Sequence, residues 1–218
     1  MSPVHGRRYT AFDVVALATS AGGIGACGHV LSHLPADFPA AVIVVMHRSH
    51  LSTDLTPSIL GRRSALPVVS VRDGEPLRPA TVFVASPVGQ TTIDDAGRLR
   101  VASPGRAGTR CRADSLFESV ARWAGTRAIG VVLTGRLSDG ALGCHAIKHH
   151  GGRVLVQDPA TAAAPDMPRA TLARGSVDFV LPLGMLGTAL TALVMAPGGA
   201  ELFRVAPPAW CVLDPLAV

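Results

Sequence analysis

The hydrophobic positions of this chain form short apolar runs that alternate with helix-like segments. The runs Val14–Ala18, Ala41–Met46 and Ala128–Leu133 are continuously apolar, as expected for strands buried on both faces. Helical patterns follow between them, for example over Gly25–Leu34 and Asp114–Trp123. Repeated strand–helix–strand units require right-handed crossovers. The pattern therefore predicts an α/β fold, a doubly wound and mostly parallel sheet with helices on both faces.

Residues 72–101 change character and predict an antiparallel edge hairpin. Turn signals occur at Asp73-Gly74 and at Asp95-Ala96-Gly97. We interpret three short runs around them as antiparallel strands: Thr81–Ala85, Thr91–Ile93 and Leu99–Val101.

The C-terminal part of the chain leaves two interpretations open. Residues 179–200 carry no charge and are long enough to span a bilayer. A buried strand at Phe179–Leu181 followed by a packed helix, with Pro182 in its first turn, is the simpler explanation, so we expect no membrane insertion. Residues 196–218 are rich in Pro and Gly, and we expect a surface tail after one domain over residues 1–195.

Composition narrows the class of protein. The 218 residues are 48% hydrophobic and 16% charged, which argues against disorder. The net charge is +5, but there is no dense basic run or aromatic interleaving, so we expect no nucleic-acid partner. The lack of a CxxC pair rules out a local zinc ribbon or redox motif, and we expect neither a metal nor a cofactor. No signal peptide is recognisable, which indicates a cytoplasmic protein. Its cysteines are then free thiols: Cys27, Cys111, Cys144 and Cys211.

Polar side chains follow three of the predicted strands. Ser20, His47 and Asp139 each stand just beyond a strand, where doubly wound sheets carry their sites. A serine hydroxyl needs a neutral imidazole to take its proton, and a fixed carboxylate stabilises the imidazolium that forms. The pattern is that of a nucleophile, a base and an orienting acid, with Gly22 and Gly23 leaving room for N–H groups to face an oxyanion. A capping serine, a rim histidine and a turn aspartate are the structural alternative.

A second motif overlaps the first turn. The segment GIGACG, residues 23–28, matches the glycine spacing of a dinucleotide fingerprint. NAD binding calls for an acidic residue after the second strand, where His47 and Arg48 stand, so only an NADP interpretation stays open. Two histidine pairs at helical spacing could chelate a metal, but we interpret them as solvated helix faces: His29 with His33, and His145 with His149.

Five segments of the chain resemble one known family when taken together. In order they cover about residues 12–195, and the family is the catalytic domain of CheB-type chemotaxis-receptor methylesterases. The segments are ALATSAGGIGA, VIVVMHRSH, VRDGEPLRPATVFVASP, GVVLTGRLSDGALG and GGRVLVQDPATAAAPDMPRA.

The resemblance implies a role for each candidate residue. Ser20 would be the nucleophile, His47 the base and Asp139 the orienting acid, and the backbone N–H of Arg136 would help to hold the oxyanion. The implied reaction is hydrolysis of glutamyl methyl esters on the cytoplasmic helical bundle of methyl-accepting chemoreceptors, with release of methanol. Such enzymes can also deamidate particular glutamines of these receptors.

Some residues depart from the family pattern. The chain begins almost directly at the first strand, so we expect a catalytic domain without the phospho-receiver domain that members often carry. Around the site the departures are Ala21, Gln90, Cys111-Arg112 and Arg136-Leu137. They keep two other functions open, a non-catalytic docking module of the same fold and an esterase for another carbonyl substrate.

Overall fold

The computed structural model describes residues 12–47, 54–103 and 112–196. Strands and helices alternate through most of this part of the chain. In order the elements are β1 (Val14–Thr19), α1 (Gly23–Leu31), β2 (Ala41–Met46), α2 (Thr56–Gly61), β3 (Val68–Ser70), β4 (Val82–Val84), β5 (Gln90–Ile93), β6 (Leu99–Ala102), α3 (Arg112–Ala124), β7 (Ala128–Val132), α4 (Ala141–His149), β8 (Arg153–Gln157), α5 (Asp166–Ala173), β9 (Phe179–Leu181) and α6 (Leu183–Met195).

Seven of the nine described strands build one parallel sheet, in the order β3-β4-β2-β1-β7-β8-β9. Outward from β1 the strands are β2, β4 and β3, and outward from β7 they are β8 and β9, so the direction of winding reverses between β1 and β7. Thr19 pairs with Met46 of β2, and Ala18 pairs with Val132 of β7. The predicted doubly wound α/β fold is confirmed, and the carboxyl ends of β1, β2 and β7 meet at one edge.

Two apolar layers cover the sheet because successive strand side chains point to opposite faces. Val15 and Leu17 of β1 pack in the layer that contains α1, α2 and α6. Val14, Ala16 and Ala18 pack in the other layer, with α3, α4 and α5. Helices on both faces explain why β1, β2 and β7 are apolar at nearly every position.

The segment Thr81–Ala85 differs from its prediction. Its central residues form β4, which is parallel to β3 and β2 within the main sheet and is not part of an antiparallel hairpin. Burial of all three β4 residues, Val82–Val84, is the physical reason, because an interior strand has helices on both faces. The antiparallel pair is β5 with β6, a separate two-stranded sheet bonded to α3 through the Ile93 N–H and Ser119 Oγ, 3.0 Å apart.

The C-terminal strand and helix form as predicted, but the strand is not buried. Phe179 and Val180 of β9 are 38% and 46% exposed, because β9 is the last strand of the sheet and has one neighbour. No described helix is long and apolar enough to cross a membrane. The predicted tail after Ala196, like Cys111 and Cys211, lies outside the described residues.

Candidate active site

Ser20 lies in the sharp turn that joins β1 to α1. Its N–H donates to the Thr134 carbonyl at 3.0 Å, and its own carbonyl accepts from the Gly23 N–H at 2.9 Å. Gly22 has φ +78°, a left-handed conformation that glycine adopts without strain. The turn therefore holds the serine backbone at the strand end and leaves its side chain half-buried.

His47 and Asp139 are in direct contact. The Nε2 atom of His47 lies 2.5 Å from Oδ2 of Asp139, although the two residues are 92 positions apart. His47 follows β2, and its N–H donates to the Thr19 carbonyl at 3.3 Å. Because β1 lies between β2 and β7, this pair joins the two strands on either side of the one that leads to Ser20.

The Asp139 carboxylate is also held by a helix end. It is 7% exposed and accepts from the N–H groups of Ala113 and Asp114, at 3.0 and 3.1 Å, in the first turn of α3. These N–H groups have no partner within the helix, and the helix dipole favours negative charge there. The imidazole therefore faces a carboxylate whose position α3 fixes.

Asp114 makes the reciprocal contact with α4. Its Oδ1 atom accepts from the N–H groups of Gly140 and Gly143, at 3.0 and 2.8 Å. Burial raises the pKa of the Asp114 carboxyl; these N–H bonds act in the opposite direction, and the charge of Asp139 adds to the rise. Asp139, which precedes α4, thus caps the N-terminus of α3, and Asp114 in the first turn of α3 caps the N-terminus of α4.

The raised pKa of Asp114 predicts a pH dependence of stability. The folded protein binds this proton more tightly than the unfolded chain does, so the resulting stabilisation is lost as pH rises through the folded-state pKa. We expect the free energy of unfolding of the wild type to fall relative to that of Asp114→Asn over the range from about pH 4 upward, since an aspartate in the unfolded chain titrates near pH 4. The asparagine keeps an oxygen for both glycine N–H groups. Urea unfolding of both proteins across this range is the measurement, and parallel curves would contradict the assignment.

The structure brings two of the three predicted catalytic side chains into contact. Among the described residues, no hydrogen bond joins Ser20 Oγ to His47, and the Nδ1 atom of His47 has no partner. Ser20 is at the end of the strand next to that of His47. Catalytic hydrogen bonds are often long in unliganded enzymes and shorten with substrate. The transfer of a proton from Ser20 to His47 stays a prediction.

Arg136 lies beside Ser20 on the neighbouring strand end. It lines a cavity of about 340 Å³ together with Ala21, Gly22 and residues 163–166. Within the described part of the chain, the backbone N–H groups of Ala21, Gly22 and Arg136 have no hydrogen-bond partner. Three unpaired N–H groups around one cavity can stabilise a developing oxyanion.

Gly135 permits the close approach of these two segments. A Cβ atom at this position would lie 2.9 Å from Ser20 Cβ and 2.0 Å from the sulfur of Met167. Any side chain at 135 would therefore push the Ser20 turn away from the strand end that carries Arg136.

Leu137 is the strained residue of this loop. It has φ +66°, and its side chain is 76% exposed, so the left-handed backbone is not compensated by burial. We expect Leu137→Gly to raise the free energy of unfolding by about 0.5–1 kcal/mol. Leu142→Gly, in the first turn of α4 and 49% exposed, is the matched control and should lower it by a similar amount. Urea unfolding at one pH distinguishes the two, and equal losses would contradict the prediction.

Two of the three glycines in the segment GIGACG have a packing explanation, whereas a Cβ on Gly25 would meet nothing within 4 Å. A Cβ on Gly23 would lie 2.5 Å from Thr19 Oγ1, and one on Gly28 would lie 3.0 Å from the Arg63 side chain. Both glycines therefore allow close contact of α1 with its neighbours. Arg48, which would be needed for the NADP interpretation, lies outside the described residues.

The other candidate side chains do not assemble a second site. Burial raises the pKa of the Cys27 thiol to about 12, and burial also raises that of Cys144, so neither is a thiolate nucleophile. His145 bonds Ser176 Oγ at 3.0 Å, and burial lowers its pKa. No group of three or more potential metal ligands is present in the described ranges.

Thr134 and Gln157 are the site residues that sequence reasoning missed. Thr134 is buried beneath the Ser20 turn, and its N–H donates to Oε1 of Gln157 at 2.9 Å. The polar Gln157 at the end of the apolar run Val154–Val156 was the available signal, because a buried amide needs partners. Arg112 and Gln90 are two of the residues that depart from the family pattern. Arg112 donates to the Pro87 carbonyl at 2.6 Å, and Gln90 begins β5.

Comparison with known proteins gives concordant matches. The CheB methylesterase family model matches residues 15–190. The protein-glutamate methylesterase/protein-glutamine glutaminase of Moorella thermoacetica is 38% identical over 198 residues, 88% of this chain and 46% of the relative. Protein-glutamate methylesterase FrzG of Myxococcus xanthus is 36% identical over 180 residues, 82% of this chain and 54% of the relative. The chain thus spans about half the length of these curated relatives.

A solved structure shares the fold. The crystal structure of the CheB methylesterase catalytic domain of Thermotoga maritima aligns with a TM-score of 0.79 at 26% identity. The alignment covers 84% of this chain and 99% of that domain. The family match runs from β1 into α6 and includes all three candidate catalytic side chains. This chain belongs to the CheB methylesterase family.

Proposed function

We propose that this protein is a serine hydrolase that removes methyl groups from glutamyl methyl esters of chemoreceptor proteins. Ser20 is the nucleophile, His47 the base and Asp139 the acid that orients it. The observation that carries the proposal is the 2.5 Å contact between His47 and Asp139 at the sheet edge where Ser20 also lies. Relatives that match most of this chain are named as protein-glutamate methylesterases, which supports the choice of ester.

The first half of the reaction forms an acyl-enzyme. Ser20 Oγ attacks the ester carbonyl carbon while His47 takes the hydroxyl proton. Because Nε2 is bonded to Asp139, Nδ1 is the nitrogen that accepts it. The tetrahedral intermediate then expels methoxide, which takes this proton from the imidazolium and leaves as methanol. Asp139 stabilises the imidazolium throughout.

The second half restores the enzyme. Water attacks the acyl-enzyme carbonyl, His47 accepts a proton from the water, and that proton returns to Ser20 Oγ as the bond breaks. The product is a glutamate carboxyl group. The same steps on a glutamine side chain release ammonia, in agreement with the glutaminase part of the relatives' names.

The cavity next to the Ser20 turn can stabilise negative charge on the carbonyl oxygen of the substrate. In both halves that oxygen becomes negative, and N–H groups already in place lower the barrier because they need not reorganise. The backbone N–H of Arg136 is the donor we assign, with the N–H groups of Ala21 and Gly22 available on the facing turn. At about 340 Å³ the cavity is at the small end of ligand pockets and suits a single side chain.

The substrate surface we propose is the cytoplasmic helical bundle of a methyl-accepting chemoreceptor, with the reaction in the cytoplasm. A glutamyl ester on a helix projects from its backbone on a flexible stem. Such a side chain can enter a cavity at the sheet edge while the bundle stays outside.

Methanol release tests the proposal. The wild type is incubated with a receptor fragment that carries glutamyl methyl esters, with and without prior treatment with a fluorophosphonate, and the labelled residue is located by peptide mass spectrometry. We expect methanol from the untreated protein, no methanol from the treated one, and the label on Ser20.

Two other results would each favour one alternative. Labelling of Ser20 without methanol release would indicate an esterase for another carbonyl substrate. Neither labelling nor release by the folded protein would overturn the enzymatic proposal and favour a docking module.

A further inference from the structure

Thr134 joins the segments that form the candidate site. It follows β7, is 1% exposed, and all of its polar groups are bonded. Its carbonyl accepts from the Ser20 N–H at 3.0 Å and from the Thr19 hydroxyl at 2.8 Å. Its hydroxyl donates to the Ala21 carbonyl at 2.9 Å and accepts from the Ala164 N–H at 2.8 Å. One buried residue therefore connects the nucleophile turn, the strand that leads to Arg136 and the cavity wall.

These bonds determine where two peptide N–H groups point. In a planar trans peptide the carbonyl and the following N–H lie on opposite sides. Because the Ala21 carbonyl is bonded to the Thr134 hydroxyl, the Gly22 N–H is directed away from Thr134. On the other segment, the Gly135 carbonyl accepts from the Met167 N–H at 3.0 Å, so the Arg136 N–H is directed away from α5. Both N–H groups belong to residues that line the cavity.

Gln157 holds Thr134 from the opposite side. It ends β8, is 1% exposed, and accepts the Thr134 N–H at Oε1. Its Nε2 atom donates to the Thr161 carbonyl at 2.9 Å, so the amide is bonded at both ends. A fully bonded buried network of this kind has one arrangement, because any shift would leave a buried polar group unpaired.

We infer that Thr134 is a positioning residue for the reaction. It fixes the Ser20 backbone through its carbonyl and orients the Ala21–Gly22 peptide through its hydroxyl. A substitution can remove the hydroxyl, whereas the carbonyl belongs to the backbone and remains. This inference rests on the proposed function, because it assigns a role to the geometry that activates and stabilises attack by Ser20.

Substitution of Thr134 by serine, alanine and valine isolates the hydroxyl. Serine and alanine both lack the methyl group, so they differ only in the hydroxyl, and valine keeps the side-chain shape. We expect Thr134→Ala and Thr134→Val to lower kcat by about 100-fold through loss of alignment, with KM within about threefold of the wild type. Thr134→Ser should stay within about fivefold of the wild type in both constants.

The rate of Ser20 labelling by a fluorophosphonate is the second measurement, because it does not depend on the ester chosen. Thr81→Val is the matched control: Thr81 is also buried, and it precedes β4 at the opposite edge of the sheet. We expect labelling to slow in Thr134→Ala and Thr134→Val but not in Thr134→Ser or Thr81→Val. Should valine at 134 prevent folding, the Ser–Ala pair still decides the matter.

The outcomes separate this inference from the proposed function. Equal labelling rates in the serine and alanine variants would overturn the role of the hydroxyl while leaving the hydrolase intact. A rise in KM with unchanged kcat would overturn it too, because uniform binding would then be what was lost. No labelling of the folded wild type would overturn the proposed function and this inference together.

Discussion

Ser20→Ala is expected to lower kcat for glutamyl methyl ester hydrolysis on the order of 10⁵-fold, because no other described nucleophile stands beside His47. The remaining rate would come from the cavity N–H groups and from substrate binding, which the substitution leaves in place. Methanol release from a methylated receptor fragment, followed under single-turnover and steady-state conditions, measures the loss.

The fold should not change in this variant. Ser20 Oγ has no hydrogen bond to a described residue, so its removal leaves no buried group unpaired, and the free energy of unfolding should stay within about 0.5 kcal/mol. Ser32→Ala, at the other end of α1, is the matched control with full activity. Activity of Ser20→Ala within tenfold of the wild type would refute the assignment of the nucleophile.

Asp139→Asn is expected to lower kcat by about 10⁴-fold, the effect of giving a catalytic histidine the wrong partner. One carboxylate oxygen accepts from His47 and the Ala113 N–H, and the other accepts from the Asp114 N–H. An amide has one oxygen and one NH₂ group, so in either orientation a donor faces a donor. If the NH₂ group faces His47, the imidazole loses the acceptor that fixes its tautomer. If it faces the Asp114 N–H, the first turn of α3 loses that acceptor.

The same conflict predicts a loss of stability. An unpaired buried N–H costs about 1–3 kcal/mol, and the free energy of unfolding should fall by that amount. Asp158→Asn is the control, since Asp158 caps a 3₁₀ turn by accepting from the Ala160 N–H and asparagine caps equally well. Kinetics well below the unfolding midpoint, together with urea unfolding, separate the two effects. A kcat above one tenth of the wild type would exclude Asp139 from the mechanism.

The edge at which the site lies was predictable from the sequence. Continuously apolar runs identified β1, β2 and β7, and parallel strands bring their carboxyl ends to one edge. Ser20, His47 and Asp139 follow those strands, and the contact between His47 and Asp139 follows from that placement. The position of each strand in the order of the sheet could not be predicted from the sequence, because it depends on which helices cover which face of the sheet.

The segment Thr81–Ala85 shows how a local signal misleads. Turn residues on both sides suggested a hairpin, yet its continuous apolar character is that of an interior parallel strand, and β4 is one. Phe179–Leu181 shows the reverse error. An apolar run predicted burial, but the last strand of a sheet has a neighbour on one side only.

Contacts between distant segments were beyond sequence reasoning. A threonine after a strand is ordinary, and nothing local marks Thr134 as the partner of both the Ser20 turn and Gln157. The capping of α3 by Asp139 is equally hidden, because its donors are backbone groups that carry no residue signature. Such bonds depend on the assembled fold.

The 92-residue separation between His47 and Asp139 has a consequence for how the molecule folds. Parallel pairing over such distances is slow, because loop closure must precede any gain from the contacts. In a chain with formed helices but an unfinished sheet, Ser20, His47 and Asp139 would not yet lie at one edge. Under the proposed function, recovery of turnover during refolding would follow completion of the central strands and lag behind the far-ultraviolet circular dichroism signal.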